Sequence, residues 1–268
     1  MVEPGFTEEF DAFGFNPRWY DTSMRILKLL YDDFFRVEAY GLENIPKDGP
    51  VLLVGNHAGY TSHDALMTMV AVRFSPASRR IRSLFYNGLE KLPFIGYAST
   101  NLLGGVIGHP RNAEYLLSKG EALLTYPEGG NAADRSIRDG VLIKRQHFSS
   151  GFARIACKNG IPVLPVAAVG FEKIAPVLFH SKILGRLFKV KKGRCPITPQ
   201  SPFILFIPNL IPIVPFPAKC YIEFGNIITP ERHSTVTSSD EVTLFTDMVF
   251  VELNDLIKKL DSRRHNSG

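Results

Sequence analysis

Three short apolar runs, residues 51–55 (VLLVG), 122–126 (ALLTY) and 163–169 (VLPVAAV), each lead into a cluster of Gly, Pro, Asn, His or Glu and alternate with segments of helical pattern. Runs of this length bounded by turn residues read as buried strands. Further strand candidates are 35–40, 81–86, 102–107 and 220–224. Helices are predicted over 19–35, from Ala65 to about Phe74 with Thr61 or Ser62 as cap, and over 110–117, closed by Gly120. Two more follow: one from Ser149 or Ser150 through Ile155 to Asn159-Gly160, and one from about Asp240 onward. Repeated strand–helix alternation predicts an α/β fold, a mixed and largely parallel sheet flanked by helices. With 45% hydrophobic residues, a chain of 268 can bury one sizeable core. One structural unit is therefore expected: 1–40 as amphipathic helix and lead-in strand, 41–235 as the central domain, 236–268 as a C-terminal helix.

The helix at 19–35 carries Tyr20, Met24, Leu27, Tyr31 and Phe34 on one face and Asp21, Arg25, Lys28 and Asp32 on another. Such a helix either packs on the core or lies in a membrane interface, the second reading favoured by its aromatics and by Arg25 and Lys28. The longest stretch without Asp, Glu, Lys, Arg or His, 195–218, is long enough to span a bilayer, but seven of its residues are proline. Prolines remove backbone donors that a lipid-exposed segment must satisfy, so no transmembrane helix is expected there. Glu3, Glu8, Glu9 and Asp11 precede any apolar run, which argues against a signal peptide. Cys157, Cys195 and Cys220 are scattered and odd in number, indicating neither a disulfide framework nor a zinc cluster and fitting a cytoplasmic setting. A net charge of +5 comes with basic clusters at 79–82 and 189–194. These read as solvated surface charge, as a contact for anionic lipid headgroups, or as a contact for a phosphate-bearing substrate. No nucleic-acid recognition motif accompanies them.

Four constellations sit where predicted strands end or begin, the place where α/β sheets collect ligands. In the first, Asn56-His57 is followed by Asp64. Asp64 suits the first turn of a helix as a complement to its dipole, and also suits a dyad in which the carboxylate orients the His57 imidazole as a general base. His63 is the weaker partner for Asp64, because adjacent helical residues point in different directions. The second is GGVIGHPR, 104–111, where Arg111 at a helix start beside exposed amides fits a phosphate or carboxylate. The third is TYPEGGN, 125–131, which holds Glu128 beside Gly129 and Gly130; it reads either as an ordinary turn or as a binding loop. The fourth, NGIPVLPV at 159–166, shapes a strand entry with Pro162 and Pro165.

In order and spacing these four blocks resemble those of the phospholipid/glycerol acyltransferase family, over residues 35–170. Asn56, His57 and Asp64 match its Asn-His…Asp block, Arg111 its Gly-containing strand ending in Arg, YPEGG its Phe-Pro-Glu-Gly-Thr, and IPVLPV its Val-Pro strand. The resemblance implies an acyltransferase domain at 41–235 that moves a fatty acyl group from acyl-CoA or acyl-carrier protein to a glycerolipid hydroxyl. It implies His57 as base, Asp64 as its partner, and acceptor or phosphate contacts from Arg111, Glu128, Gly129 and Gly130, with amides near Gly129-Gly130 facing the oxyanion. It implies no metal and no cofactor beyond the thioester co-substrate. The helix at 19–35, the apolar proline-rich loop at 196–217 and the basic flanks predict a peripheral position on the cytoplasmic face of a membrane. The sequence departs from the family in three places. Six residues separate His57 from Asp64, a longer spacer than usual and like that of divergent branches acting on neutral glycerolipids. Glycine replaces threonine after Gly129, and the usual Arg-Ser pair is displaced to Arg135-Ser136.

Two rival classes compete with this reading. No Gly-X-Ser-X-Gly elbow occurs, which disfavours a serine hydrolase. A non-catalytic, peripheral lipid-binding protein with a degenerate dyad is the alternative, opposed by the retention of His57 and Glu128.

Overall fold

A computed structural model describes residues 10–58, 62–85, 95–134, 140–187, 195–199, 215–231 and 238–266. Helix α1, Pro17–Leu29, continues through a wider helical turn, Leu30–Phe34. Strands β1 (Glu38–Tyr40) and β2 (Val51–Gly55) follow, then α2 (His63–Arg73), β3 (Ile81–Phe85), β4 (Val106–Ile107), α3 (Pro110–Ser118) and β5 (Ala122–Thr125). The chain goes on through α4 (Gly151–Asn159), β6 (Val163–Val169), β7 (Phe179–Ser181), α5 (Lys182–Leu187), β8 (Cys195–Ile197), β9 (Tyr221–Phe224) and α6 (Ser239–Asn266).

Seven strands form one sheet in the order β1-β9-β6-β2-β5-β3-β4, while β7 and β8 pair separately as an antiparallel ribbon. Strands β6, β2, β5, β3 and β4 run parallel to one another. Strand β9 runs antiparallel to β6, and β1 follows β9 in parallel. The expected mixed, largely parallel sheet flanked by helices is therefore present. Every residue of β2 and β6 is buried, as strands covered on both faces require. One face packs Val51, Leu53, Leu124 and Val166 against Tyr20 and Met24 of α1 and Met67 and Val70 of α2. The other packs Leu52, Leu123, Val163 and Ala167 against Ala113 of α3, Phe152 of α4 and Val249, Leu253 and Ile257 of α6.

Helix α1 starts two residues before the sequence predicts. The Asn16 side chain accepts from the Arg18 and Trp19 N–H groups at 2.9 and 3.1 Å, and Pro17 takes the first helical position. The strand predicted at 102–107 is shorter than expected. Residues Ala98–Leu102 form a helical turn, Gly104 adopts the left-handed region at φ +65°, and only Val106 and Ile107 pair with β3. The ribbon β7–β8 and helix α5 add to the elements that the sequence pattern predicts.

The arginines of the basic cluster at 79–82 each bond groups within the protein. Arg79 donates to the carbonyls of Pro46, Gly49 and Gly120, and Arg80 pairs with Asp21, which also holds Arg73. Burial alone would raise the pKa of Asp21, but its bonds to Arg80 and Arg73 and their charges bring it down to about 2. Arg82 is fully buried, bonded to Asp11 at 2.6 Å and to the Gly104 carbonyl, with Phe15 over its guanidinium at 4.3 Å. It thus ties the segment before α1 to the sheet. The second basic cluster, 189–194, lies outside the described residues, as do Thr61, Arg135-Ser136 and most of the proline-rich run.

Candidate active site

Because β6, β2, β5, β3 and β4 are parallel, the loops carrying all the predicted site residues leave the sheet along one carboxyl edge. Asn56 fixes how β2 ends. Its side-chain amide donates to the Ala168 carbonyl at 2.8 Å and accepts from the Ala168 N–H at 2.7 Å, imitating one more residue of the β2–β6 ladder. Both polar ends of this buried side chain are satisfied, and His57 is held just beyond the sheet.

Asp64 is the second residue of α2. Its Oδ2 meets His57 Nδ1 at 2.6 Å and accepts from the Ala58 N–H at 2.7 Å, while Oδ1 accepts from the Ala65 N–H at 2.8 Å. The carboxylate is 0% exposed, so these donors and the helix N-terminus replace the water it has lost. Asp64 thus stands in the first turn of α2 and against the His57 ring in one position. The six-residue spacer does not prevent the pairing. A carboxylate at Nδ1 sets the tautomer, placing the proton on Nδ1 and the basic lone pair on Nε2. The His57 side chain is 19% exposed, enough for a substrate to reach it.

Tyr126 was not singled out from the sequence, yet it forms the floor of the dyad. Its ring stacks on His57 with centroids 4.8 Å apart and planes 25° from parallel. Gly55 makes the room: a Cβ there would lie 2.8 Å from Tyr126 Cε1. The Tyr126 hydroxyl is buried beside Thr68 of α2 without a well-aligned hydrogen bond. Burial and then the charge of Asp64 push the phenol well above its ordinary pKa, so it stays neutral. The signal available in the sequence was an aromatic at the end of β5 opposite a glycine ending β2, visible only once the strands are known to be neighbours.

Glu128 is buried, and its Oε2 accepts from the His57 N–H at 3.3 Å. The YPEGG turn is thereby joined to the histidine loop. Gly129 lies in the left-handed region at φ +51°, and its N–H closes the turn onto the Tyr126 carbonyl at 3.0 Å, so that amide is committed within the loop. Gly129 and Gly130 are both exposed. Arg111 is the second residue of α3; its side chain is exposed and has no ion-pair partner among the described residues. Strand β4, which leads to it, stands three positions from β2, roughly 14 Å at ordinary strand spacing, so a ligand touching both His57 and Arg111 would be extended. The His63 ring meets Phe35 edge-on at 5.6 Å, and burial lowers its pKa while the charge of Asp64 works the other way.

Residues 36–169 match the family model described as Acyltransferase. An uncharacterized protein of Mycobacterium tuberculosis (strain H37Rv) is 34% identical over 260 residues, spanning 96% of this chain and 70% of that protein. A relative in Mycobacterium leprae is 32% identical over the same length. The chloroplastic 1-acyl-sn-glycerol-3-phosphate acyltransferase of Brassica napus is 26% identical over 155 residues, covering 53% of this chain and 40% of the plant protein.

Proposed function

The chain belongs to the acyltransferase family, and on that premise we propose that it moves a fatty acyl group from a thioester carrier, coenzyme A or acyl-carrier protein, to a glycerolipid hydroxyl. The observation that carries this reading is the dyad, His57 Nδ1 bound at 2.6 Å to the buried Asp64 on the carboxyl edge of the sheet. The plant relatives, named for acylating 1-acyl-sn-glycerol-3-phosphate, support a glycerolipid as the acceptor class.

His57 Nε2 takes the proton of the acceptor hydroxyl as its oxygen attacks the thioester carbonyl. The imidazolium that forms is stabilised by Asp64, and the tetrahedral adduct collapses with cleavage of the C–S bond. The departing thiolate receives the proton, which returns the dyad to its starting state. Such base catalysis is worth on the order of 10²–10⁴-fold in rate. Arg111 binds a phosphate of acceptor or donor in this scheme, and Glu128, Gly129 and Gly130 shape the acceptor side of the site.

Among the described residues no helix is long and apolar enough to cross a membrane. The acceptor is a lipid, so the protein meets it at a membrane surface, and α1 supplies one contact. Its inner residues Tyr20 and Met24 are core, while Ile26 and Leu29 are 63% and 64% exposed. The test of the activity is thiol release from acyl-CoA or acyl-carrier protein with a panel of lyso-, mono- and diacyl acceptors. Release that rises with one acceptor class identifies the reaction. Silence across the whole panel would leave the lipid-binding alternative in its place.

A further inference from the structure

Neighbouring antiparallel strands are ordinarily joined by a few residues. Here β6 ends at Val169 and its antiparallel neighbour β9 begins at Tyr221. The chain leaves and returns at one point: Gly170 adopts φ +98°, and a Cβ there would lie 2.5 Å from the Lys219 carbonyl oxygen. That point is on the carboxyl edge, beside the Asn56–Ala168 pair that positions His57.

The sequence between them segregates charge. From 170 to 220 there are eight Lys and Arg residues and a single acid, Glu172, which leaves 23 basic against 25 acidic residues elsewhere. The rest of the chain therefore carries a net charge of −2, and all the excess positive charge of the protein resides in this one connection. Its first residues are anchored, with Ile174, Ala175 and Val177 buried. The chain then surfaces at β7 and α5. Leu178 and Phe179 are exposed, and Ile183 and Leu187, one helical turn apart, are 81% and 69% exposed. Lys182 and Arg186, also one turn apart and exposed, flank them. The root of the connection also touches the end of α1, since the Cys220 N–H donates to the Phe35 carbonyl at 3.1 Å and the Phe35 ring packs near Phe171. The exposed Leu30 and Leu29 lie on the last turns of α1 leading to that junction.

We propose that residues 178–187 form a docking face for an anionic membrane and hold the catalytic edge against the bilayer. Apolar side chains interleaved with long basic ones suit a headgroup–acyl boundary, where Lys and Arg stems lie along apolar surface and their charges reach phosphates. A second copy of the chain would bring the same excess of Lys and Arg in this connection and be repelled. The proposal deepens the reading of the site as acting on a lipid acceptor. It is tested without turnover, so the two can fail separately.

The intact protein is cosedimented with vesicles of phosphatidylcholine alone and of phosphatidylcholine with phosphatidylglycerol. Wild type is expected to prefer the anionic vesicles and to lose binding as salt rises. At about fivefold per basic residue near the surface, Lys182→Gln with Arg186→Gln should weaken anionic binding roughly 25-fold and leave neutral vesicles little affected. Ile183→Ser with Leu187→Ser should weaken binding to both. These side chains are exposed, and unchanged thermal melting verifies that the variants fold. Wild-type binding of anionic vesicles by both double variants overturns the proposal. So does a pattern in which the variants keep vesicle binding but lose affinity for an acidic acyl-carrier protein, which would make the face a protein dock. If wild type binds anionic vesicles and transfers no acyl group, the activity reading falls and the docking face stands.

Discussion

At the scale of single residues the site rests on a division of labour between groups that react and groups that hold them. His57 and Asp64 belong to the first kind in the proposed reaction, and their loss should act on kcat far more than on KM. His57→Ala is expected to lower kcat by on the order of 10²-fold or more, and Asp64→Asn to fall similarly because Nδ1 loses its anionic partner. His63→Ala, whose ring packs on Phe35, should stay within a few-fold of wild type; steady-state kinetics on variants with wild-type melting curves decide the matter. Tyr126 is a positioning residue. Tyr126→Phe keeps the stacked ring and should keep kcat, whereas Gly55→Ala drives a methyl into that ring and should cost roughly 10- to 100-fold in kcat with little change in KM. Equal loss in the Phe variant would show that the buried hydroxyl, not the ring, matters. Arg111→Ala should raise KM for lysophosphatidic acid much more than for monoacylglycerol if Arg111 serves the acceptor's phosphate. An equal effect on both acceptors would assign it to the donor or to structure.

Among the elements, α1 shows how one helix satisfies both readings of its pattern. Tyr20 and Met24 seal one face of the sheet, and the far side of the same helix leaves Ile26, Leu29 and Leu30 to solvent. Leu27, which by pattern alone looks equally suited to lipid, packs against the core. The informative variant is therefore Ile26→Asp with Leu29→Asp, which should fold normally and bind vesicles about tenfold or more weakly, since each substitution removes an apolar side chain from the interface and adds a charge. Cosedimentation checks it, and unchanged binding would make α1 a core helix only. Strand β3 carries the opposite surprise, a charged residue on an inner position. Arg82 is held there by Asp11 at Nη1, the Gly104 carbonyl at Nε and the Phe15 ring over the guanidinium, while its Nη2 is buried without a hydrogen-bond partner among the described residues.

For the molecule as a whole, α6 decides whether the chain is one unit. This helix covers β6 and β9 on the face opposite α1, burying Val249, Leu253 and Ile257 with residues of β2 and α4. If the C-terminal helix is part of a single core, Leu253→Ala should cost about 2–5 kcal/mol and lower one common transition. Near- and far-ultraviolet circular dichroism melts should shift together. Separate transitions would divide the helix from the sheet and break the single-unit expectation.

The sequence by itself determined what local chemistry encodes. The continuous apolar runs at 51–55, 122–125 and 163–169 declare strands buried on both faces, and residue types at the ends of those strands single out His57 and Asp64 over His63. Periodicity cannot say which strands become neighbours, because pairing is settled by contacts distant in the chain. Asn56 finds its role only when Ala168, 112 residues away, lies beside it. Tyr126 becomes the floor of the dyad only because β5 pairs with β2 opposite Gly55. The fate of a charge is likewise a tertiary property, since burial depends on what covers the side chain. Of three arginines within four positions, Arg79 binds carbonyls, Arg80 a surface carboxylate, and Arg82 the interior.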